Sequence, residues 1–106
     1  MKEFTRSLRP VSRRKAFETA KMKCLQCAIP RFWDYYGPGH MPSKKDLVVL
    51  EYGSTGKMVD HMLFELSVNI NGTDCVHQFE IDFDKKNLEK GWYFVDRFEE
   101  VPYRAY

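Results

Sequence analysis

From His61 to Phe83 apolar and polar residues alternate almost without a break, interrupted once, at Asn71 and Gly72. Met62, Phe64, Leu66, Val68 and Ile70 share one side of an extended chain, with Leu63, Glu65, Ser67 and Asn69 on the other. Beyond the interruption, Cys75, His77, Phe79, Ile81 and Phe83 alternate with Val76, Gln78, Glu80 and Asp82. A period of two is the mark of a half-buried strand. Asn-Gly is the favoured centre of a two-residue type I′ hairpin, because both residues tolerate positive φ. The pairing follows at once: Ile70 opposes Thr73, Val68 opposes Cys75, Leu66 opposes His77, Phe64 opposes Phe79 and Met62 opposes Ile81. Both apolar sets then fall on one face, and a slip of one residue would separate them.

Upstream the period changes. Phe17, Ala20, Cys24, Cys27 and Ala28 recur at spacings of three, four, three and one, a single stripe of an amphipathic helix. Ser12 is placed to cap a helix starting at Arg13. Arg14, Lys15, Glu18, Lys21 and Lys23 fall largely off the stripe. Pro30 is expected to end or kink this helix, or to open a short second one through Tyr36. "GPGHMPSKKD" (37–46) then breaks regular structure. "DLVVLEY" (46–52) reads as a strand, "GSTGK" (53–57) as a turn, "DKKNLEKG" (84–91) as a polar connection with room for one helical turn, and "GWYFVDRFEEVPY" (91–103) as a last strand. The expectation is an α+β fold, an N-terminal helix packed on a four-stranded antiparallel sheet. Residues 1–11 form a basic N-terminal arm and 12–106 a single domain. The order of elements resembles the cystatin-like arrangement, which NTF2-like domains share with extra helices. The resemblance is one of topology: the Q-x-V-x-G loop of the cystatin inhibitors has no counterpart, the hairpin here reading "NINGTD". It implies no activity.

Composition bounds the rest. The chain has 106 residues, 43% of them apolar, enough for one domain with a core of its own. Its longest unbroken apolar runs span four residues, so no membrane-spanning helix is expected. No apolar signal region stands near the N-terminus, and three cysteines, an odd number, read as free thiols in a reducing compartment. A cytoplasmic location is expected, with the mitochondrial matrix as the alternative suggested by the Arg-, Ser- and Thr-rich start. The net charge of +2 hides a division: residues 1–31 carry +7 and residues 32–106 carry −5. Such a division marks either a basic arm meeting an acidic partner, or a basic helix lying on an acidic sheet of its own chain.

Four kinds of site follow. Arg9, Arg13, Arg14, Lys15, Lys21, Lys23 and Arg31 are candidate contacts to an acidic partner, nucleic acid foremost, since spaced cations attract phosphates without regard to sequence. Trp33 and Tyr35 are candidates to stack on unpaired bases. Against this, at least two of Phe32, Trp33 and Tyr36 are expected to plug the end of the core. Cys24 and Cys27 lie on the helix stripe, and Cys75 with His77 lies on the facing strand. These four either close around zinc as a Cys₃His set or pack as an ordinary core, the simpler reading. Redox chemistry is disfavoured, because the Cys-x-x-Cys stands near a helix C-terminus, whose dipole opposes a thiolate. Asp82, Asp84, Asp96, Glu99 and Glu100 are expected on an acidic outer surface. No nucleophile elbow, H-E-x-x-H or P-loop is present. A small-molecule pocket between helix and sheet, holding His77, Tyr52 and Asp96, is the cystatin- or NTF2-like alternative. The expectation is therefore a non-enzymatic binding protein without a cofactor, a small subunit of a larger protein or ribonucleoprotein hetero-assembly, with a zinc-stabilised interaction module as a further alternative.

Overall fold

The computed structural model describes residues 13–54, 59–84 and 94–105, with side chains for 17–53, 60–84 and 95–105. One helix, α1 (Arg13–Tyr36), precedes four strands: β1 (Leu47–Ser54), β2 (Val59–Ile70), β3 (Thr73–Asp84) and β4 (Phe94–Val101). The strands form one antiparallel sheet in the order β1-β2-β3-β4, with α1 across one face. The α+β arrangement is the one expected. The N-terminal arm, the Ser12 cap and the connection over 85–93 lie outside the described residues.

The β2–β3 hairpin has the predicted register, from Ile70 opposite Thr73 through Met62 opposite Ile81, and continues to Val59 opposite Asp84. Asn71 (φ 52°) and Gly72 (φ 87°) both take the left-handed conformation that a type I′ turn demands. The Asn69 side chain fastens the turn, accepting from the Gly72 N–H at 3.1 Å and donating to Asp74 at 2.9 Å.

On the face this register creates, Met62, Phe64, Leu66, Phe79, Ile81 and Phe83 are fully buried. Phe64 and Phe79, directly opposite, stack at 5.4 Å, and Phe98 of β4 stacks on Phe79 at 5.2 Å. From α1 come Ala20, Cys24, Ala28 and Phe32, all completely buried. Phe17 and Cys27 are only half-buried. The small side chains at 20, 24 and 28, spaced one turn apart, let the helix approach the sheet closely.

The helix departs from expectation at Pro30. It neither ends nor restarts there but runs unbroken to Tyr36. Proline has no N–H for the Gln26 carbonyl, which ordinarily penalises a mid-helix position. Here the ring faces solvent, while Phe32, two residues on, is locked into the core against His77 (5.2 Å) and Phe79 (6.2 Å). Burying an aromatic ring of this size outweighs one missing hydrogen bond. The stop comes at Gly37, whose φ of 80° and N–H donated to Trp33 O at 2.8 Å form a left-handed cap.

Because Pro30 is exposed and opposes its own helix, Pro30→Ala should raise stability by about 1–3 kcal/mol. Urea unfolding reads this directly. A lower midpoint would mean that the ring makes a contact worth more than the helical bond it removes.

Candidate functional site

Phe17 meets Tyr52 of β1 edge-on at 5.4 Å, Cys24 donates to Met62 Sδ of β2 at 3.5 Å, and Tyr36 reaches His77 of β3. The helix therefore crosses the sheet diagonally, from β1 at its N-terminal end to β3 and β4 at its C-terminal end. Most polar chemistry on this face gathers at the far end of that diagonal.

There, His77 is held from both sides. Its Nε2 hydrogen-bonds the Tyr36 hydroxyl at 2.5 Å, and its Nδ1 hydrogen-bonds Glu100 Oε2 at 2.8 Å. Tyr35 donates to the other oxygen of the same carboxylate at 2.5 Å and stacks on the imidazole at 5.0 Å. Arg31 lies over the Phe98 ring at 5.5 Å and adds positive charge beside Tyr35 and Glu100. Burial works to raise the Glu100 pKa, but the bonds from Tyr35 and His77 with the nearby Arg31 outweigh it and hold the carboxyl below its ordinary value. The phenols respond in the opposite sense. Tyr35 is pushed up because Glu100 accepts its proton, and Tyr36 is pushed up by burial and by hydrogen bonding with Cys75. A carboxylate, an imidazole and a phenol in series form a clasp joining α1 to β3 and β4. Glu100 thus points to the helix side with Phe79, its cross-strand partner, and not to the outer surface expected of it. The alternation of Phe98 and Glu100 was the available signal.

The outer surface carries a second network. His61, Asp82 and Arg97 stand abreast on β2, β3 and β4, with His61 Nδ1 to Asp82 at 2.7 Å and Arg97 Nε to Asp82 at 2.8 Å. Arg97 also reaches Glu80 at 3.3 Å and Glu99 at 3.0 Å, so three carboxylates share one guanidinium. Burial again acts to raise Asp82, and Arg97 with His61 brings it below its usual value.

The four zinc candidates are not drawn together. Cys24 is completely buried with Met62 as its partner, and burial pushes its thiol far up. Burial raises the half-buried Cys27 as well. Cys75 contacts the Thr73 carbonyl at 3.9 Å, and His77 is occupied by Tyr36 and Glu100. Among the described residues no three His, Cys, Asp or Glu side chains are grouped to hold a metal ion.

Compared with family models, curated proteins and solved structures, the chain matches none.

The basic candidates divide. Lys21 is spent inside the molecule, pairing with Glu18 at 3.7 Å and lying over the Phe17 ring at 5.5 Å. Arg31 is engaged at the clasp. Lys23 remains half-exposed, Arg13, Arg14 and Lys15 open the helix with side chains outside the described set, and Arg9 precedes it. Of the three plug residues, Phe32 is buried and Tyr36 packs against the core, whereas Trp33 is 54% exposed. Tyr35 is 48% exposed, but one ring face and its hydroxyl are already taken. Met22, Gln26, Pro30 and Trp33, spaced by four, four and three, make an exposed stripe along the helix. The imagined pocket of His77, Tyr52 and Asp96 does not form: Tyr52 lies at the opposite end of the diagonal, Asp96 is exposed, and phenylalanines fill the space between helix and sheet.

Glu100 and Asp82 both ionise below their ordinary values of 4.5 and 3.8 in the folded chain, so their contribution is complete above that range and is lost as pH falls through the lowered values. The urea midpoint should drop as pH falls below about 4.5. Glu100→Gln should flatten part of that drop. A midpoint that rises on acidification would contradict the assignment.

Proposed function

We propose that this chain is a non-enzymatic binding domain, a small subunit of a larger protein or ribonucleoprotein assembly, and that its basic N-terminal segment and the solvent side of α1 hold an acidic partner, nucleic acid foremost. One observation carries the reading: Arg13, Arg14, Lys15 and Lys23 belong to the same helix as the exposed Trp33. The sheet bears negative charge, and part of it is offset internally by Arg97, which Glu80, Asp82 and Glu99 share. A phosphate backbone would follow the free cations, while the indole offers a flat apolar face to an unpaired base, worth about 1–3 kcal/mol where it stacks. The filled interior adds support for binding at a surface over chemistry in a cleft. Arg13, Arg14, Lys15 and Lys23 carry the electrostatic part, Trp33 the stacking part, and Lys21 and Arg31 hold the domain together.

The test is fluorescence anisotropy of a labelled single-stranded uridine oligonucleotide with the full chain across a salt series. Replacing Arg13, Arg14 and Lys15 by Gln should lower the slope of log affinity against log salt by about 2, roughly 0.7 per lost phosphate contact. Trp33→Ala should weaken binding about tenfold at every salt concentration. Far-UV circular dichroism checks that the fold persists. Affinity and slope unchanged in both variants would end the proposal.

A further inference from the structure

The face of the sheet away from α1 holds a feature that the binding reading leaves unused. After β4 the chain turns back across this face, and the main chain of Arg104 pairs with the Gln78 side chain, donating to Oε1 at 3.0 Å and accepting from Nε2 at 2.8 Å. Gln78 also donates to Glu65 at 3.1 Å and is 1% exposed, although its place in the alternation is on the outer side. Between this returning segment and β1 lies a groove of about 420 Å³, with Leu63 as its floor and Glu51, Glu80, Tyr103 and Arg104 along its sides. That volume is in the range of peptide and small-ligand sites.

Charge across the face is uneven. On the β4 side Arg97 meets Glu80, Asp82 and Glu99. On the β1 side, among the described residues, no cation pairs with Glu51, and Glu65 has only the Gln78 amide. β1 is also an edge strand, bonded among the described residues to β2 alone, and it presents Val48 (50% exposed) on the same side as Glu51. An unpaired edge can accept a further extended chain through main-chain hydrogen bonds, with alternate side chains falling on one face.

We infer that this groove and the β1 edge dock an extended arginine- or lysine-bearing segment of a partner protein. Its main chain runs beside β1, and one cationic side chain enters the groove. The aliphatic stem lies on Leu63 and against the exposed Tyr103 ring, and the charged head reaches Glu51. The stiff floor formed by Gln78 and Arg104 lowers the ordering cost of binding. The domain would then join an acidic partner on its helix layer to a basic one on its sheet layer, although this second contact stands without the first.

The test uses the full chain, labelled with nitrogen-15, titrated with the blocked peptide Arg-Val-Thr-Val-Arg-Val and with its counterpart bearing Glu for Arg. The basic peptide should shift the amides of Val48, Glu51, Leu63, Gln78 and Arg104 saturably, and the acidic one should not. Glu51→Lys, at an exposed and unpaired position, should weaken binding at least fivefold. Arg104→Glu leaves the main-chain pairing with Gln78 in place and removes the one cation of the groove, so it should tighten binding severalfold. Shifts that are absent, equal for both peptides, or indifferent to both substitutions would overturn the inference. Concentration-dependent shifts of the same amides without peptide would overturn it in favour of a second copy of this chain. Replacing Arg13, Arg14 and Lys15 by Gln should leave the titration unchanged, which separates this outcome from that of the helix layer.

Discussion

The register of the β2–β3 hairpin is the constraint on which the remaining structure depends. Two residues with positive φ, Asn71 and Gly72, fix which side chains stand opposite one another along both twelve-residue strands. A shift of one residue would carry Phe79 and Ile81 out of the core and bring Gln78 and Glu80 in. It would also exchange His77 and Gln78, the residues that organise the two faces. His77 joins helix to sheet through Tyr36 and Glu100, and Gln78 anchors the returning C-terminal segment through Arg104. A turn of two residues therefore sets the core, the clasp and the groove together.

The same dependence explains what was legible in the sequence. The hairpin could be read because both of its determinants, a period of two and an Asn-Gly turn, are local. The buried stripe of α1 could be read for the same reason. Pro30 misled because its local signal is real, and it is overruled only by Phe32, which meets residues more than forty positions away. Glu100 shares the helix side with Phe98, two residues before it, an alternation β4 itself carries, but which β3 residues it meets depends on a pairing across a long connection with an irregularity at Asp82 and Phe83. No short turn states that register in advance. Gln78 offered no warning of burial, since what covers it is main chain arriving from the end of the molecule.

The zinc question turns on a coordinate that neither periodicity carries. Helix phase establishes that Cys24 and Cys27 face the sheet, and hairpin register establishes that Cys75 and His77 face the helix. Neither fixes where along the sheet the helix crosses. Cys24 settles over Met62, whose partner on β3 is Ile81. His77 and Cys75 lie four and six residues further along that strand, roughly 13 and 20 Å at ~3.3 Å per residue. Residues can share a face and still be too far apart to share an ion. The diagonal crossing that separates these four brings Tyr35, Tyr36, His77 and Glu100 together instead.

That crossing also decides which charges remain free. Where α1 ends over β3 and β4, its cation Arg31 is drawn to Phe98 and Glu100, and Lys21 turns to Glu18 and Phe17. Lys23 is half-exposed and escapes such pairing among the described residues. The sheet behaves likewise: carboxylates near β4 share Arg97, while among the described residues Glu51 and Glu65 near β1 have no cation. Among the described residues, Lys23 on α1 and Glu51 on β1, neither with a charged partner, thus sit on opposite layers with a core of phenylalanines between them. The two layers face opposite sides of the fold, so each would attract a partner of the opposite charge without the two competing for one surface. A chain with a net charge of only +2 can in this way present two strongly directional electrostatic surfaces.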